Sequence, residues 1–459
     1  MSTTAEAYGI RINDRVLTLE EACKSSSDLM SPTRMFTLPG AGLSYSIAVR
    51  GLVRRGIKAL DLSMLTQRYQ LQYLHVFKVG DRELTIDQPH TFPHTRFEHS
   101  LGAAALAVSI MLKSDLSPVL IKLGVLAEIA HDRMMPAGGD AVKNYAFQRG
   151  QLKLFDEDRN FQEIFLRKPD AWRQLRDDER LPVGAERIIE DAVQSKGILG
   201  KIHDVADTSS YIALDVAYLL QECPRLWGPN WRQEMPDVYK QILALVEQGA
   251  CRLWENVMLT GDAVVINDVK RLEQFLMLRA LLWRHLYHQP MNKFLEGFHT
   301  DILFPYMARR NLIPRDKIVH WHDNQLDRLI ERTFGFERGQ MKNVNLMGKT
   351  PHRHFFISRD VALAHEEDYA SRGHFTLLRD HSDLPFPGPK TNKYFVQGPR
   401  GVQTFADAFP QAADAVHQVL RSEPKGLHLF VMEGGAQSGH LSPALHQAWQ
   451  SARRGWRKI

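Results

Sequence analysis

The chain has few cysteines and no long hydrophobic run. Among its 459 residues there are three cysteines, Cys23, Cys223 and Cys251, and no Cys-x-x-Cys pair. Cysteines so few and so scattered exclude a disulfide scaffold and a cysteine-based zinc site. The best candidate for a membrane span, residues 101–112, ends at Lys113. It is shorter than the ~18 apolar residues that a transmembrane helix requires.

Features that would indicate export or nucleic-acid binding are also missing from the sequence. The first residues, MSTTAEAYGIRIND, have no basic segment followed by an apolar segment, so we see no secretion signal and expect a cytoplasmic protein. The formal net charge of +5 is small and is spread along the chain, without a basic stripe interleaved with aromatic residues. A charge of this size suits an enzyme with a small anionic substrate.

Hydrophobic periodicity divides the chain into three parts. Residues 1–60 are mixed, residues 61–345 form a helical core, and residues 346–459 alternate short β-like runs with a helix near 403–421. We therefore predict a mainly α fold, with a smaller α+β C-terminal lobe attached to the helical core. Within the core, apolar residues recur every three or four positions in the segments 101–113, 118–131, 204–222, 237–258, 269–288 and 291–305.

Two of these segments begin or end in polar residues. The stretch TFPHTRFEHSLGAAALA, residues 91–107, places Arg96 and His99 directly before a helix rich in small residues. The apolar segment that follows ends in the pair His131-Asp132. Taken alone, such a pair is more often a buried histidine bonded to its neighbour than a metal site.

Two further segments carry polar stripes. Asp207, Tyr211 and Asp215 are spaced by four and so share one helix face, although a solvated face would show the same pattern. His203, beside Asp204, is interpreted as part of a helix start. In the segment 271–290, Arg279, Trp283 and Tyr287 share a face that is otherwise apolar. An arginine there needs an anionic partner, either a carboxylate or a bound phosphate.

Taken together, the segments HTRFEHSLG, HD, DTSSYIALD and RALLWRHLYHQPMNKFLEGF resemble the HD superfamily. Within it, the chain is most similar to the deoxynucleoside triphosphate triphosphohydrolases, the dGTPases and their relatives, over about residues 65–335. The resemblance implies a divalent metal ion (Mn, Mg, Fe or Zn) held by His99, His131, Asp132 and Asp207. It also implies that Arg96 and Arg279 bind the triphosphate and that Tyr211, Asp215 and Tyr287 contact the deoxyribose.

The resemblance carries an activity and an assembly with it. The implied reaction is hydrolysis of a deoxynucleoside triphosphate at the α-phosphorus, which releases nucleoside and triphosphate and lowers the dNTP pool. Lower pools would serve either housekeeping or defence against phage. Family members also lead us to expect a homo-oligomer, a tetramer or hexamer, with a nucleotide as allosteric effector.

The chain departs from the family after the HD pair. The family continues HDxGHxPFxH, whereas this chain reads HDRMMPAGGD and contains no histidine between Arg133 and Ile202. We expect Asp140, Asp156 or Asp158 to replace the missing histidines in proton handling. Position 208 is threonine, where relatives often carry a phosphate-binding lysine. Two alternatives therefore stay open: a phosphohydrolase acting on another nucleotide phosphoester, and a catalytically weak nucleotide sensor.

Overall fold

The computed structural model describes residues 10–11, 48–49, 52–68, 76–79, 82–85, 94–114, 116–148, 161–261, 263–288, 290–313, 318–336, 351–380, 390–421, 426–436 and 441–457. The fold is mainly α, with a smaller part that contains β-sheets, as the sequence predicts. The helices are α1 (Leu52–Ala59), α2 (Arg96–Lys113), α3 (Pro118–Ala130), α4 (Gly139–Gln148), α5 (Glu163–Arg167), α6 (Pro169–Asp178), α7 (Ala185–Val193), α8 (Gly197–Trp227), α9 (Trp231–Glu234), α10 (Asp237–Glu247), α11 (Val269–Leu282), α12 (Pro290–Gly297), α13 (Phe304–Arg309), α14 (Asp323–Phe334), α15 (Arg359–Ser371), α16 (Phe405–Ala408), α17 (Pro410–Arg421) and α18 (Pro443–Trp456). The strands are β1 (Ile10–Arg11), β2 (Ala48–Val49), β3 (Val76–Val79), β4 (Arg82–Thr85), β5 (Val257–Thr260), β6 (Ala263–Ile266), β7 (His352–Phe356), β8 (Phe375–Asp380), β9 (Phe395–Gly398), β10 (Gly401–Thr404) and β11 (Leu427–Met432).

Helices α2, α3 and α8 pack against one another and form the centre of the core. Helix α2 starts sharply because the Thr95 side chain accepts from the Glu98 backbone, while the Glu98 carboxylate accepts from the Thr95 backbone, which is a capping box. Small residues then bring the helices close together. A Cβ added to Gly102 would lie 2.6 Å from the Ser210 hydroxyl oxygen of α8. The small-residue run therefore allows a tight crossing of α2 and α8.

One predicted helix is shorter than the periodicity indicates. The segment 237–258 is wrong as a single helix: α10 ends at Glu247, a 3₁₀ segment covers Ala250–Asn256, and β5 begins at Val257. Gly249 adopts a positive φ of 85°, a left-handed conformation that ends helices and that glycine tolerates without steric cost. The apolar spacing continues beyond this point because β5 and the 3₁₀ segment also face the core.

The C-terminal part is joined to the helical core by a shared sheet. Strands β5 and β6 form an antiparallel hairpin, and β6 pairs in parallel with β9, placing Val265 opposite Phe395. Strand β10 completes this four-stranded sheet. A second sheet has the order β7-β11-β8, with the fully buried β11 in its centre. Helices α15 and α18 pack on it.

Within the part of the chain that the structure describes, no helix combines the length and the apolar character needed to cross a membrane.

Candidate metal centre

The four predicted metal ligands come from three helices that meet in the core. His99 lies in the first turn of α2, and His131 and Asp132 lie in a 3₁₀ turn that directly follows α3. These three side chains are buried, and their ligand atoms all lie within 4.8 Å of one another. Asp207, about three turns into α8, contacts both histidines and is the most exposed of the four.

The distances among these atoms suit a single ion. The Nε2 atoms of His99 and His131 are 3.1 Å apart, and an oxygen of Asp207 lies 2.9 Å from the first and 3.5 Å from the second. An Asp132 oxygen lies 3.7 Å from the His131 Nε2 atom. For bonds of about 2.1 Å, neighbouring ligands of a tetrahedral or octahedral ion are separated by roughly 3.0–3.4 Å. The cluster is therefore compatible with a divalent metal ion.

Surrounding groups orient these ligands. The Nδ1–H group of His131 donates to the Glu128 carbonyl oxygen at 2.7 Å, which leaves its Nε2 lone pair facing the cluster. Arg96 donates to one oxygen of Asp132 at 3.0 Å. The other Asp132 oxygen is buried and has no hydrogen-bond partner among the described residues. A buried acceptor without a partner is costly, so this oxygen supports the presence of a cation.

The electrostatics keep both carboxylates ionised. Burial would raise the pKa of Asp132, but its surroundings, above all the charge of Arg96, outweigh burial and lower it to about 2. Burial likewise opposes ionisation of Asp207, and the hydrogen bond and charge of His99 depress its pKa well below the usual value. Carboxylates that stay charged at neutral pH are available as metal ligands.

The residues predicted to contact substrate form a second, connected group. The Arg279 Nε–H group donates to the Tyr211 hydroxyl at 3.1 Å, and the Tyr287 hydroxyl donates to Asp215. Tyr211 also connects this group to the metal centre, because its ring centroid lies 6.4 Å from that of His99. The structure thus brings the predicted phosphate and sugar contacts to the side of the metal centre. Their roles stay predictions.

His94 belongs to this group, although the sequence interpretation gave it no role. It is fully buried, its Nε2 atom lies 3.2 Å from an oxygen of Asp215, and its ring stacks on Tyr218 with centroids 5.0 Å apart. Asp215 is therefore held between His94 and Tyr287. His94 could have been identified from the sequence, because it lies in the same short stretch as Arg96 and His99.

The carboxylates expected to replace the missing histidines are not part of the cluster that the structure describes. Asp140 is exposed in the first turn of α4, and Asp156 and Asp158 lie outside the described residues. The residue before Asp140, Gly139, is close to the site: a Cβ added there would lie 3.1 Å from an Arg96 nitrogen. The proton-handling role of these carboxylates stays a prediction.

A buried ion pair beside the metal centre was missed. His203 is not at a helix start, since α8 begins at Gly197. Its Nδ1 atom lies 3.0 Å from a Glu128 oxygen, and its ring centroid lies 5.1 Å from that of His131. Burial lowers the pKa of His203, but Glu128 more than compensates and raises it to about 9. The spacing of four between His203 and Asp207 continues the polar stripe and could have identified this residue.

Comparisons with known proteins give distant similarity to solved structures. No family model and no curated protein matches the chain. Among solved structures, the chain is similar to a phosphohydrolase from Bacteroides thetaiotaomicron VPI-5482, with 13% sequence identity over 86% of this chain and 98% of that one, and a TM-score of 0.49. A similarity at this level assigns neither a substrate nor a residue role, so the functional conclusion depends on the geometry of the site.

Proposed function

We propose that this protein is a metal-dependent phosphohydrolase that converts deoxynucleoside triphosphates to deoxynucleoside and triphosphate. The observation that carries the proposal is the cluster of two histidines and two aspartates, three of them buried, beside arginine and tyrosine side chains. Phosphoester hydrolysis by a metal-dependent enzyme requires metal ligands and cationic side chains that bind phosphate within one site. The resemblance in sequence supplies the narrower choice of substrate.

The chain's own residues would hold and orient the reactants. A bound divalent ion would polarise the phosphoryl group and lower the pKa of a coordinated water molecule. Two imidazoles and two carboxylates suit Mn, Fe, Zn or Mg. Arg96, whose guanidinium donates to Asp132, and Arg279, whose Nε–H group donates to Tyr211, would each bring a guanidinium to the triphosphate oxygens.

The sugar contacts are supported by the same network. Tyr211 is half-buried and anchored by Arg279, so its ring can present a fixed surface to the 2′ carbon, where a ribose hydroxyl would collide. An aspartate has about four acceptor positions. Asp215 uses part of this capacity for Tyr287 and His94, and the remainder can accept from a 3′-hydroxyl group.

A homo-oligomer, tetramer or hexamer, with a nucleotide as allosteric effector is proposed from the family resemblance. The implied consequence of dNTP hydrolysis in the cell is a lower dNTP pool.

The proposal is tested by a product assay. Purified protein is incubated with Mn²⁺ or Mg²⁺ and the four dNTPs, singly and mixed, and the products are separated by chromatography. Asp207→Ala should abolish turnover and reduce bound metal. The matched control is Asp204→Ala, which lies on the same helix and forms a partly exposed ion pair with Lys393 at 3.6 Å. This variant should retain both.

Each product pattern selects one function. Nucleoside with intact triphosphate supports the proposal, and turnover only in the mixture identifies a nucleotide activator. Free phosphate or a nucleoside monophosphate as product would instead favour a phosphohydrolase that acts on another nucleotide phosphoester. Nucleotide binding without turnover in any mixture would contradict the proposed reaction and favour a nucleotide sensor.

A further inference from the structure

The C-terminal part of the chain contributes a lysine to the candidate site. The Lys390 ammonium group donates to the Thr208 hydroxyl oxygen at 2.6 Å. Thr208 is fully buried and directly follows the predicted ligand Asp207. Its charge also interacts with those of Asp207 and Arg279, so the cation lies near the candidate site, although it comes from a segment 182 residues further along the chain.

The turn that carries Lys390 is fixed to the core. It leads into β9, whose first residue, Phe395, pairs with Val265 of β6. The buried Thr391 hydroxyl lies 3.1 Å from the His417 Nε2 atom, and the buried Tyr394 ring meets Phe275 edge-on at 6.2 Å. Because the residues that directly follow Lys390 are anchored to the core, the fold sets the position of the ammonium group.

The backbone at this position is strained. Lys390 has a φ of 56°, in the left-handed region that residues other than glycine seldom occupy. Strained residues of this kind persist where surrounding structure determines them, and they are concentrated at functional sites. Here the strain accompanies a side chain directed into the core.

The charge of Lys390 is not paired with a carboxylate in the part of the chain that the structure describes. Among the described residues, no aspartate or glutamate lies within ion-pair distance of its ammonium group. Burial lowers its pKa to about 8, and Arg279 lowers it as well, while Asp207 opposes the shift. An ammonium group that is partly enclosed by protein, and that has no carboxylate at ion-pair distance among the described residues, is suited to an anionic ligand, because an uncompensated charge away from water is unfavourable. A lysine ammonium has three donors, and Thr208 accounts for one.

We propose that Lys390 is a substrate-binding residue whose ammonium group binds a phosphate of the substrate together with Arg279. The C-terminal segment would thereby complete the substrate site. This inference deepens the proposed function and rests on it as far as the substrate class is concerned. Lys393, three residues along the same turn, offers a contrast: it is half-exposed and pairs with Asp204 at 3.6 Å.

The test compares Lys390→Met with Lys393→Met and Lys390→Arg. Methionine keeps the length of the side chain and removes the charge, whereas arginine keeps the charge. The first measurement is calorimetric binding of inorganic triphosphate to the Mn²⁺-loaded protein, and the second is kcat and KM for the dNTPs. Thermal unfolding midpoints and bound metal are measured for every variant, so that misfolding is recognised.

Loss of one charge-assisted hydrogen bond should weaken triphosphate binding roughly ten- to hundred-fold in Lys390→Met. KM should rise more than kcat falls, Lys390→Arg should recover part of the affinity, and Lys393→Met should bind within about two-fold of the original protein. Equal binding by Lys390→Met and Lys393→Met would overturn the inference, as would an original protein that binds no triphosphate.

These outcomes separate the two proposals. Hydrolysis of dNTPs that is unaffected by Lys390→Met would leave the proposed function standing and reject the role of Lys390. Tight triphosphate binding that depends on Lys390, in a protein that hydrolyses no dNTP, would support the role of Lys390 and reject the proposed function.

Discussion

The close crossing of α2 and α8 leads to a prediction about Gly102 and Ser210. Gly102 lies one turn after His99, and Ser210 lies one turn after Asp207, so their contact sets the distance between two predicted ligands. The Ser210 hydroxyl donates to the His99 carbonyl oxygen at 3.0 Å. A Cβ at position 102 would lie 2.6 Å from that hydroxyl oxygen but 3.7 Å from the Ser210 Cβ atom.

These distances predict that Gly102→Ala changes the free energy of unfolding in opposite directions in the original protein and in a Ser210→Ala variant. In the original protein, Gly102→Ala forces the Ser210 hydroxyl away from His99, and an unpaired buried hydroxyl costs about 1–3 kcal/mol. Alanine recovers about 1 kcal/mol of helix propensity. The free energy of unfolding should therefore fall by about 0–2 kcal/mol. In a Ser210→Ala background there is no hydroxyl group to collide with, and Gly102→Ala should raise the free energy of unfolding by about 1 kcal/mol.

The assay is urea denaturation of the original protein, both single variants and the double variant. The cycle should give a coupling free energy of about 1–3 kcal/mol. If Gly102→Ala has the same effect in both backgrounds, within about 0.5 kcal/mol, then Ser210 is not what limits the approach of the helices, and the account of this crossing is incorrect.

Two further predictions concern buried ion pairs. The pKa of His203 is raised to about 9 by Glu128, so the pair should stabilise the protein fully below the ordinary histidine pKa of about 6.5 and lose this contribution as pH rises through about 9. Glu128→Gln should thus destabilise the protein more at pH 6 than at pH 9.5 in denaturation experiments, and an equal loss at both would contradict the assignment. Arg379 lies 2.9 Å from Glu296 and 3.5 Å from Asp301, and Arg379→Met should cost about 1.5–3 kcal/mol because it removes charge-assisted contacts to two partly buried carboxylates, although Lys293 stays 3.0 Å from Glu296. Exposed Arg372, paired with Asp368 on α15, is the matched control and should change stability by less than about 1 kcal/mol.

Periodicity predicted the helical core well because burial imposes a regular spacing on every helix that packs on one side. It failed at 237–258 for a related reason. Strand β5 and the 3₁₀ segment bury apolar residues too, so the spacing continued while the backbone changed. Gly249 was the local feature that marked the end of α10, and its positive φ explains why it ends there.

The site divides into residues that helix spacing can predict and residues that it cannot. Asp207, Tyr211 and Asp215 follow one helix face, and His203 extends the same face by one turn, so a stricter use of spacing would have included it. Spacing could not decide between a metal site and a solvated stripe, because both place polar residues on one face. The structure adds the buried ligand atoms of His99, His131 and Asp132, which converge from two segments, and Asp207 of α8 beside them. This arrangement is compatible with a divalent metal ion.

Lys390 marks the limit of inference from local sequence. Its neighbours, a proline-rich segment before it and a short strand after it, are typical of a surface turn. What brings it to Thr208 is the parallel pairing of β9 with β6, a contact between segments more than a hundred residues apart. The family resemblance showed that position 208 has threonine where relatives often have a phosphate-binding lysine. No pattern along the chain indicates which distant residue faces this threonine. Only the sheet that joins the C-terminal segment to the core puts a cation beside that threonine, and the site's charge is therefore a property of the assembled fold.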